Sequence, residues 1–183
     1  MKGNEKEVER LIQYEFDAPS LLRAALTHAS AEPTEGPDNE RLEFLGDAVA
    51  DAVVAEILYR HPDCTSEGKM TAARADAASG GTMARVAEEM GLPAHLRVGE
   101  GMPPRGQWPV SLSANVYEAV VGAVYVDGGY GPARELVRRT LGPEVRRAVR
   151  EGASGDHKSR LQEAVQAAGH GAPTYETLRR TGP

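Results

Sequence analysis

NERLEFLGDAVADAV occupies residues 39–53. At about 100° per residue, Glu40, Glu43 and Asp47 fall within roughly 60° of one another on a helix, and Asp51 extends the stripe by a turn. Leu42, Leu45, Val49 and Val53 lie on the other side, so one helix presents an acid face and a core face. Like charges at i,i+4 repel by a few tenths of a kcal/mol on an exposed helix. Two readings follow. The acids form a solvated surface, or they converge on a hard, oxygen-seeking cation such as Mg²⁺ or Mn²⁺. Spacing alone leaves both open.

A second stretch narrows the choice. SLSANVYEAVVGAVYVDGG, residues 111–129, is apolar almost all round, as a central buried helix should be. Two oxygen ligands, Asn115 and Glu118, stand i,i+3 on one face of it. An ionised Glu among Val and Ala is costly unless paired, which favours a metal role.

The string NERLEFLGDAV closely resembles the signature stretch of the ribonuclease III family, whose members cleave double-stranded RNA. Glu40, Glu43 and Asp47 stand at the family's acidic positions and Gly46 at its glycine, where a small residue lets another helix approach. The second stretch is similar to the family's other catalytic segment. Ala114, Glu118, Ala119, Gly122, Ala123, Tyr125 and Asp127 fall in step, and Asn115 stands where an aspartate is usual. An amide carbonyl can still coordinate Mg²⁺, with one negative charge fewer, so weaker ion binding or slower hydrolysis is expected. The resemblance implies an all-α, helical ribonuclease III domain acting as a homodimer on double-stranded RNA. Metal-dependent hydrolysis would leave 5′-phosphate and 3′-hydroxyl ends. It places Glu43, Asp47, Asn115 and Glu118 around the ion, with Glu40 in support. Glu67 matches an acid tied to the dimer interface and neighbouring site, or is simply a favourable charge in a helix's first turn.

The totals agree with a single core. The chain has 183 residues, 40% apolar and 26% charged, a composition of globular proteins. No apolar run reaches the roughly 20 residues that span a membrane, and MKGNEKEVER lacks a signal peptide's apolar core. Cys64 is the one cysteine, read as a buried or incidental thiol in a reducing cytoplasm. Residues 1–133 carry 11 Lys and Arg against 21 Asp and Glu, whereas residues 134–183 carry 10 against 6. Only the C-terminal quarter is basic enough to suit phosphates.

Periodicity predicts helices over 5–16 and over APSLLRAALTHAS (18–30), then a Pro/Gly loop at 32–38 delivering Asp38 or Asn39 as a helix cap. His28, in LTHAS, is read as packed and hydrogen-bonded, with a functional role as the alternative. The signature helix should stop near Tyr59 or Arg60, before Pro62. Residues 65–91 read as one long helix interrupted at Gly80–Gly81 by a kink or a close crossing. A loop at 98–110 carries Trp108, a core plug or an exposed contact. Helices over 131–151 break at Gly142–Pro143, with Arg138, Arg139, Arg146, Arg147 and Arg150 touching phosphates or solvated.

The domain reading is a nuclease domain over 1–150, a flexible linker at 151–156 and a truncated α-β fragment over 157–183. That fragment resembles the first helix and first strand of a double-stranded-RNA-binding domain. Ser159, Gln162, Glu163 and Gln166 then occupy positions that reach an RNA minor groove. A catalytically impaired RNA-binding or dimerisation module, with Asn115 as the lesion, is the alternative function. A helical interaction domain with an acidic surface is a third.

Overall fold

Two helices pressed backbone to backbone form the centre. The computed structural model describes residues 2–31, 36–155 and 165. Chain order is α1 (Lys2–Ile12), α2 (Pro19–Ala25), α3 (Glu40–Tyr59), α4 (Glu67–Ala77), α5 (Gly80–Glu89), short 3-10 turns at Leu92–His95 and Arg105–Gln107, α6 (Val110–Gly128), α7 (Tyr130–Thr140) and α8 (Gly142–Gly155). The described residues are all-α, as the sequence predicts. α6 is the rod on which α2, α3, α5 and α7 pack, while α4 packs on α8. Val116, Val120, Val121 and Val124 of α6 are fully buried, and each such side chain contributes about 1.5–3 kcal/mol by leaving water.

The α3–α6 crossing is set by two glycines. A methyl at Gly46 would overlap the Glu118 carbonyl and lie 2.8 Å from the Gly122 nitrogen. A methyl at Gly122 would overlap the Leu42 carbonyl and lie 3.1 Å from the Gly46 nitrogen. This is the close approach that Gly46 predicts.

Side chains brace the rod at its far end. Tyr14 donates to Asp127 Oδ2 at 2.7 Å, and the Asp17 and Ala18 amides donate to the same carboxylate at 2.9 Å each. Ala18, at the N-cap of α2, makes no side-chain cap; Asp127, from the end of α6, holds the two amides that lead into the helix. On the other flank, Glu56 of α3 accepts from Tyr130 at 2.9 Å and from Arg134 Nε of α7 at 2.8 Å. The Arg134 and Tyr130 hydrogen bonds hold the Glu56 carboxyl down at about 2.

Several local expectations are corrected. The first helix starts earlier than 5–16 and stops at Ile12, because Gln13 takes a left-handed φ of 53°. The Tyr14 amide then reaches back to the Glu9 carbonyl at 3.1 Å, a C-terminal closure of Schellman type. The second helix ends at Ala25, and LTHAS leaves it as turns around Thr27, which pairs with Arg97 in a parallel bridge. The His28 amide donates to the Arg97 carbonyl at 2.9 Å and the Arg97 amide to Leu26 at 2.8 Å, so partners 70 residues away outcompete the helix. Residues 65–91 are two helices. Ser79 stops the first and caps the second, accepting from the Thr82 amide at 3.2 Å. Gly80 and Gly81 face open space, with nothing within 4 Å of an added methyl, so they make no crossing.

The stretch 151–156 read as a linker begins as helix, since α8 continues to Gly155. Arg147 Nη1 meets Glu151 at 3.4 Å one turn on, an i,i+4 pair that favours the continuation. Other expectations hold. Asp38 Oδ1 accepts from the Glu40 amide at 3.2 Å and starts α3, which ends at Tyr59. Trp108 packs against the core and donates to the Pro103 carbonyl at 2.8 Å. Cys64 is buried. Among the described residues no helix is long and apolar enough to cross a membrane. The fragment from 157 onward, with its first strand, lies outside the described residues apart from Val165.

Gly46→Ala and Gly122→Ala should each destabilise by about 3 kcal/mol or more, since overpacking here meets backbone. That corresponds to a fall in Tm of roughly 6–12 °C for a chain of this size. Gly80→Ala, facing open space, should leave Tm unchanged or raised. Thermal unfolding followed by circular dichroism checks all three.

Candidate active site

Because Gly46 and Gly122 set the crossing, the residues within two turns of them on the two helices confront one another. Glu43 and Asp47 flank Gly46 on α3, and the Glu118 carbonyl of α6 is what a methyl at Gly46 would strike. Glu43 is half-buried and its carboxyl is pushed up, by burial first and then by the charges of Glu40 and Asp47. The Asn115 side chain, reaching from α6, opposes that rise. Glu118 is pushed up to about 7, by burial and then by Asp47 and Glu43. Glu43, Asp47, Asn115 and Glu118 thus act on one another across the two helices, with Glu40 at the margin.

All four offer oxygen, which suits a hard divalent cation and not a soft one. The unneutralised charges that perturb Glu118 are of the kind a cation relieves. Among the described residues, no three His, Cys, Asp or Glu side chains are drawn in to metal-binding spacing.

Other candidates stand apart. Glu67 opens α4 and accepts the Thr71 hydroxyl at 3.2 Å; it is not among the charges acting on Glu43 or Glu118. Asp51, the last acid of the stripe, lies 4.0 Å from Arg74 of α4. His28 is half-buried, with Nδ1 2.8 Å from Ser30 Oγ and accepting the Ser30 amide at 3.1 Å. Ser30 Oγ in turn accepts the Gly99 amide at 3.1 Å. His28 therefore fastens one loop to another, the packed role its sequence context favours. Ser159, Gln162, Glu163 and Gln166 lie outside the described residues.

Two features escape the sequence reading. Phe44, adjacent to Glu43, is 83% exposed. Its position off the Leu42–Leu45–Val49 stripe was the available signal. The influence of Asn115 on Glu43 had none, because it depends on how closely two distant segments cross.

With this geometry in hand, the similarities to known proteins are informative. Residues 18–145 match a family model described as Ribonuclease-III-like. Ribonuclease 3 of Rhodopirellula baltica is 39% identical over 175 residues, covering 96% of this chain and 66% of that protein. Ribonuclease 3 of Alkalilimnicola ehrlichii is 42% identical over 171 residues, covering 92% and 73%. The chain thus spans about two thirds to three quarters of the length of these relatives. A solved nuclease domain of ribonuclease III from Campylobacter jejuni superimposes with a TM-score of 0.70 at 31% identity, covering 76% of this chain and 96% of that one. That structure is described as showing flexibility in the region involved in dimer formation.

The raised Glu118 carboxyl has a signed consequence. A carboxyl that binds its proton more tightly when folded contributes stability in full below its ordinary value of 4.5, and loses it as pH rises through about 7. In chelator, Glu118→Gln should therefore match the wild type at about pH 4 and melt at a higher temperature at about pH 8. Paired thermal melts at the two pH values check it.

Proposed function

The chain belongs to the ribonuclease III family, and from that premise we propose an endoribonuclease that hydrolyses phosphodiester bonds of double-stranded RNA in RNA processing. The products would carry 5′-phosphate and 3′-hydroxyl ends. The observation that carries this reading is the meeting of Glu43, Asp47, Asn115 and Glu118 across the glycine crossing.

Carboxylate oxygens of Glu43, Asp47 and Glu118 and the amide carbonyl of Asn115 would hold Mg²⁺, with Mn²⁺ able to substitute. Such an ion, when bound, neutralises phosphate charge and acidifies a water for in-line attack on phosphorus. The protein's part is to fix these oxygens on two helices that cannot slide, because the crossing has no spare room. Burial of Glu118 excludes water from one side of the group, and Glu40 adds negative charge beside Glu43. Cleavage of a long RNA duplex in Mg²⁺ and in Mn²⁺ tests the proposal. The wild type should cut, and Glu118→Ala should lose at least about 100-fold in rate, as metal-assisted hydrolysis depends on ion placement. A silent wild type awakened by Asn115→Asp would replace this reading with that of an impaired duplex-binding module.

We further propose that the protein acts as a homodimer, with duplex RNA lying across both sites. Phe44, a large apolar side chain left in water beside the acids, supports an interface at this face, and Glu67 is placed with the partner's site. Residues 157–183 are taken as the opening of a double-stranded-RNA-binding domain, with Ser159, Gln162, Glu163 and Gln166 toward the minor groove. The buried free thiol of Cys64 suits a cytoplasmic setting. Sedimentation should find a dimer, and Phe44→Ser should shift it toward monomer while leaving the helical circular dichroism spectrum intact.

A further inference from the structure

We propose that His28 is a positioning residue for the acid-bearing helix: its Nδ1 closes a clamp between two loops, and that clamp fixes the point from which α3 starts. The link to the reaction rests on the metal-site reading above, whereas the clamp is read from hydrogen bonds.

The glycine crossing fixes how far α3 stands from α6. It does not tie down the first turn of α3, which carries Glu40 and Glu43 and whose amides lack partners within the helix. Asn39, at the head of that turn, makes no side-chain cap and yet is 2% exposed. Its amide donates to the Thr27 carbonyl at 2.8 Å, and its own carbonyl accepts the Glu43 amide at 2.8 Å. The Asp38 side chain takes the Glu40 amide, but Asp38 belongs to the same stretch. Thr27 is the tie to the body of the protein.

Thr27 is itself held from both sides. The Leu26 carbonyl accepts the Arg97 amide at 2.8 Å, and the His28 amide donates to the Arg97 carbonyl at 2.9 Å. The Arg97 guanidinium reaches the Thr27 hydroxyl and, at 2.7 Å, the Arg23 carbonyl. Two residues on, the loops meet again. Ser30 Oγ accepts the Gly99 amide at 3.1 Å, and a methyl at Gly99 would overlap the Ser30 carbonyl. His28 Nδ1 closes the turn between these two contacts, accepting the Ser30 amide at 3.1 Å and lying 2.8 Å from Ser30 Oγ. A side-chain acceptor bonded to the amide two residues on is the geometry of an Asx turn. His61, beyond the other end of α3, makes the same turn with the Asp63 amide at 3.3 Å. The backbone partners of His61, Leu58 and Cys64, are its neighbours in sequence, so it shows what a purely local turn does.

The test joins residue-resolved amide hydrogen exchange in chelator to Mn²⁺ affinity and duplex cleavage. It compares wild type, His28→Asn, His28→Ala and His61→Ala. Asparagine offers Oδ1 where the ring offers Nδ1 and suits the same turn. In His28→Ala the amides of Ser30 and Gly99, and also those of Asn39 and Glu43, should lose about tenfold in protection. His28→Asn should keep all four within about threefold of wild type, and His61→Ala should leave them unchanged. Where His28→Ala remains folded, its Mn²⁺ affinity and kcat should fall about tenfold with KM for the duplex unchanged, since misplaced groups cost rate. His28→Asn should restore both. Should His28→Ala fail to fold, Ser30→Ala removes the hydroxyl between Nδ1 and Gly99 and carries the same test. Lost protection confined to Ser30 and Gly99, with Mn²⁺ affinity and kcat at the wild-type level, would overturn the proposal and leave His28 a local fastening. A raised KM in both His28 variants would also overturn it, by placing the ring against the RNA. A wild type that neither binds Mn²⁺ nor cuts would refute the metal-site reading and the kinetic half of the proposal. Exchange at Asn39 and Glu43 then upholds or overturns the clamp.

Discussion

The backbone contact between Gly46 and Gly122 is the constraint on which the rest depends. A crossing with no side chain at its centre fixes the separation of two helices to within a fraction of an ångström, because backbones do not repack as rotamers do. Everything that gives the candidate site its character is a corollary. Glu43 and Asp47 meet Asn115 and Glu118 because the helices are this close, and Glu118 is half-buried for the same reason. The scaffold and the site are one object, and a change that loosens the crossing disperses the acids before any of them is touched.

The electrostatics of the surface tell a complementary story. Composition makes the C-terminal quarter look ready for phosphate, yet several of its arginines are engaged within the protein. Arg138 pairs with Glu135 at 2.7 Å. Arg139 donates to Gln13 at 2.7 Å and to the Ile12 carbonyl at 2.5 Å. Arg147 meets Glu144 at 3.0 Å and Asp76 at 3.5 Å. Arg139 ties α7 to the end of α1 and Arg147 ties α8 to α4, while the other two pairs lie within single helices. These arginines are therefore committed to the protein's own carboxylates and carbonyls rather than left to solvent.

What could be read in the chain beforehand follows the range of the forces involved. α3 and α6 are legible because their patterns are long, periodic and bounded by Asp38 and Gly129. The acids and Gly46 are legible because a single helix carries them at fixed spacing. The end of α1 is not, since Gln13 adopts a left-handed turn that most sequences reserve for glycine. The unwinding of LTHAS is hidden too, as it is decided by Arg97 on a distant loop. The glycine pair at 80–81 misleads for another reason. Two glycines signal a disruption, but the residue that stops one helix and starts the next is Ser79. Likewise Asn115 is visible at once, while its influence on Glu43 across the crossing exists only after folding.

The Asp127 carboxylate carries a mechanical implication. It binds Tyr14 and the amides of Asp17 and Ala18, so the first eighteen residues are moored to the far end of the rod that bears Asn115 and Glu118. The N-terminal helix is therefore not a detachable arm. Tension applied at the chain's beginning would reach α6 through Asp127, and a cut just after Tyr14 would take one of its three partners while the Asp17 and Ala18 amides stayed on the carboxylate.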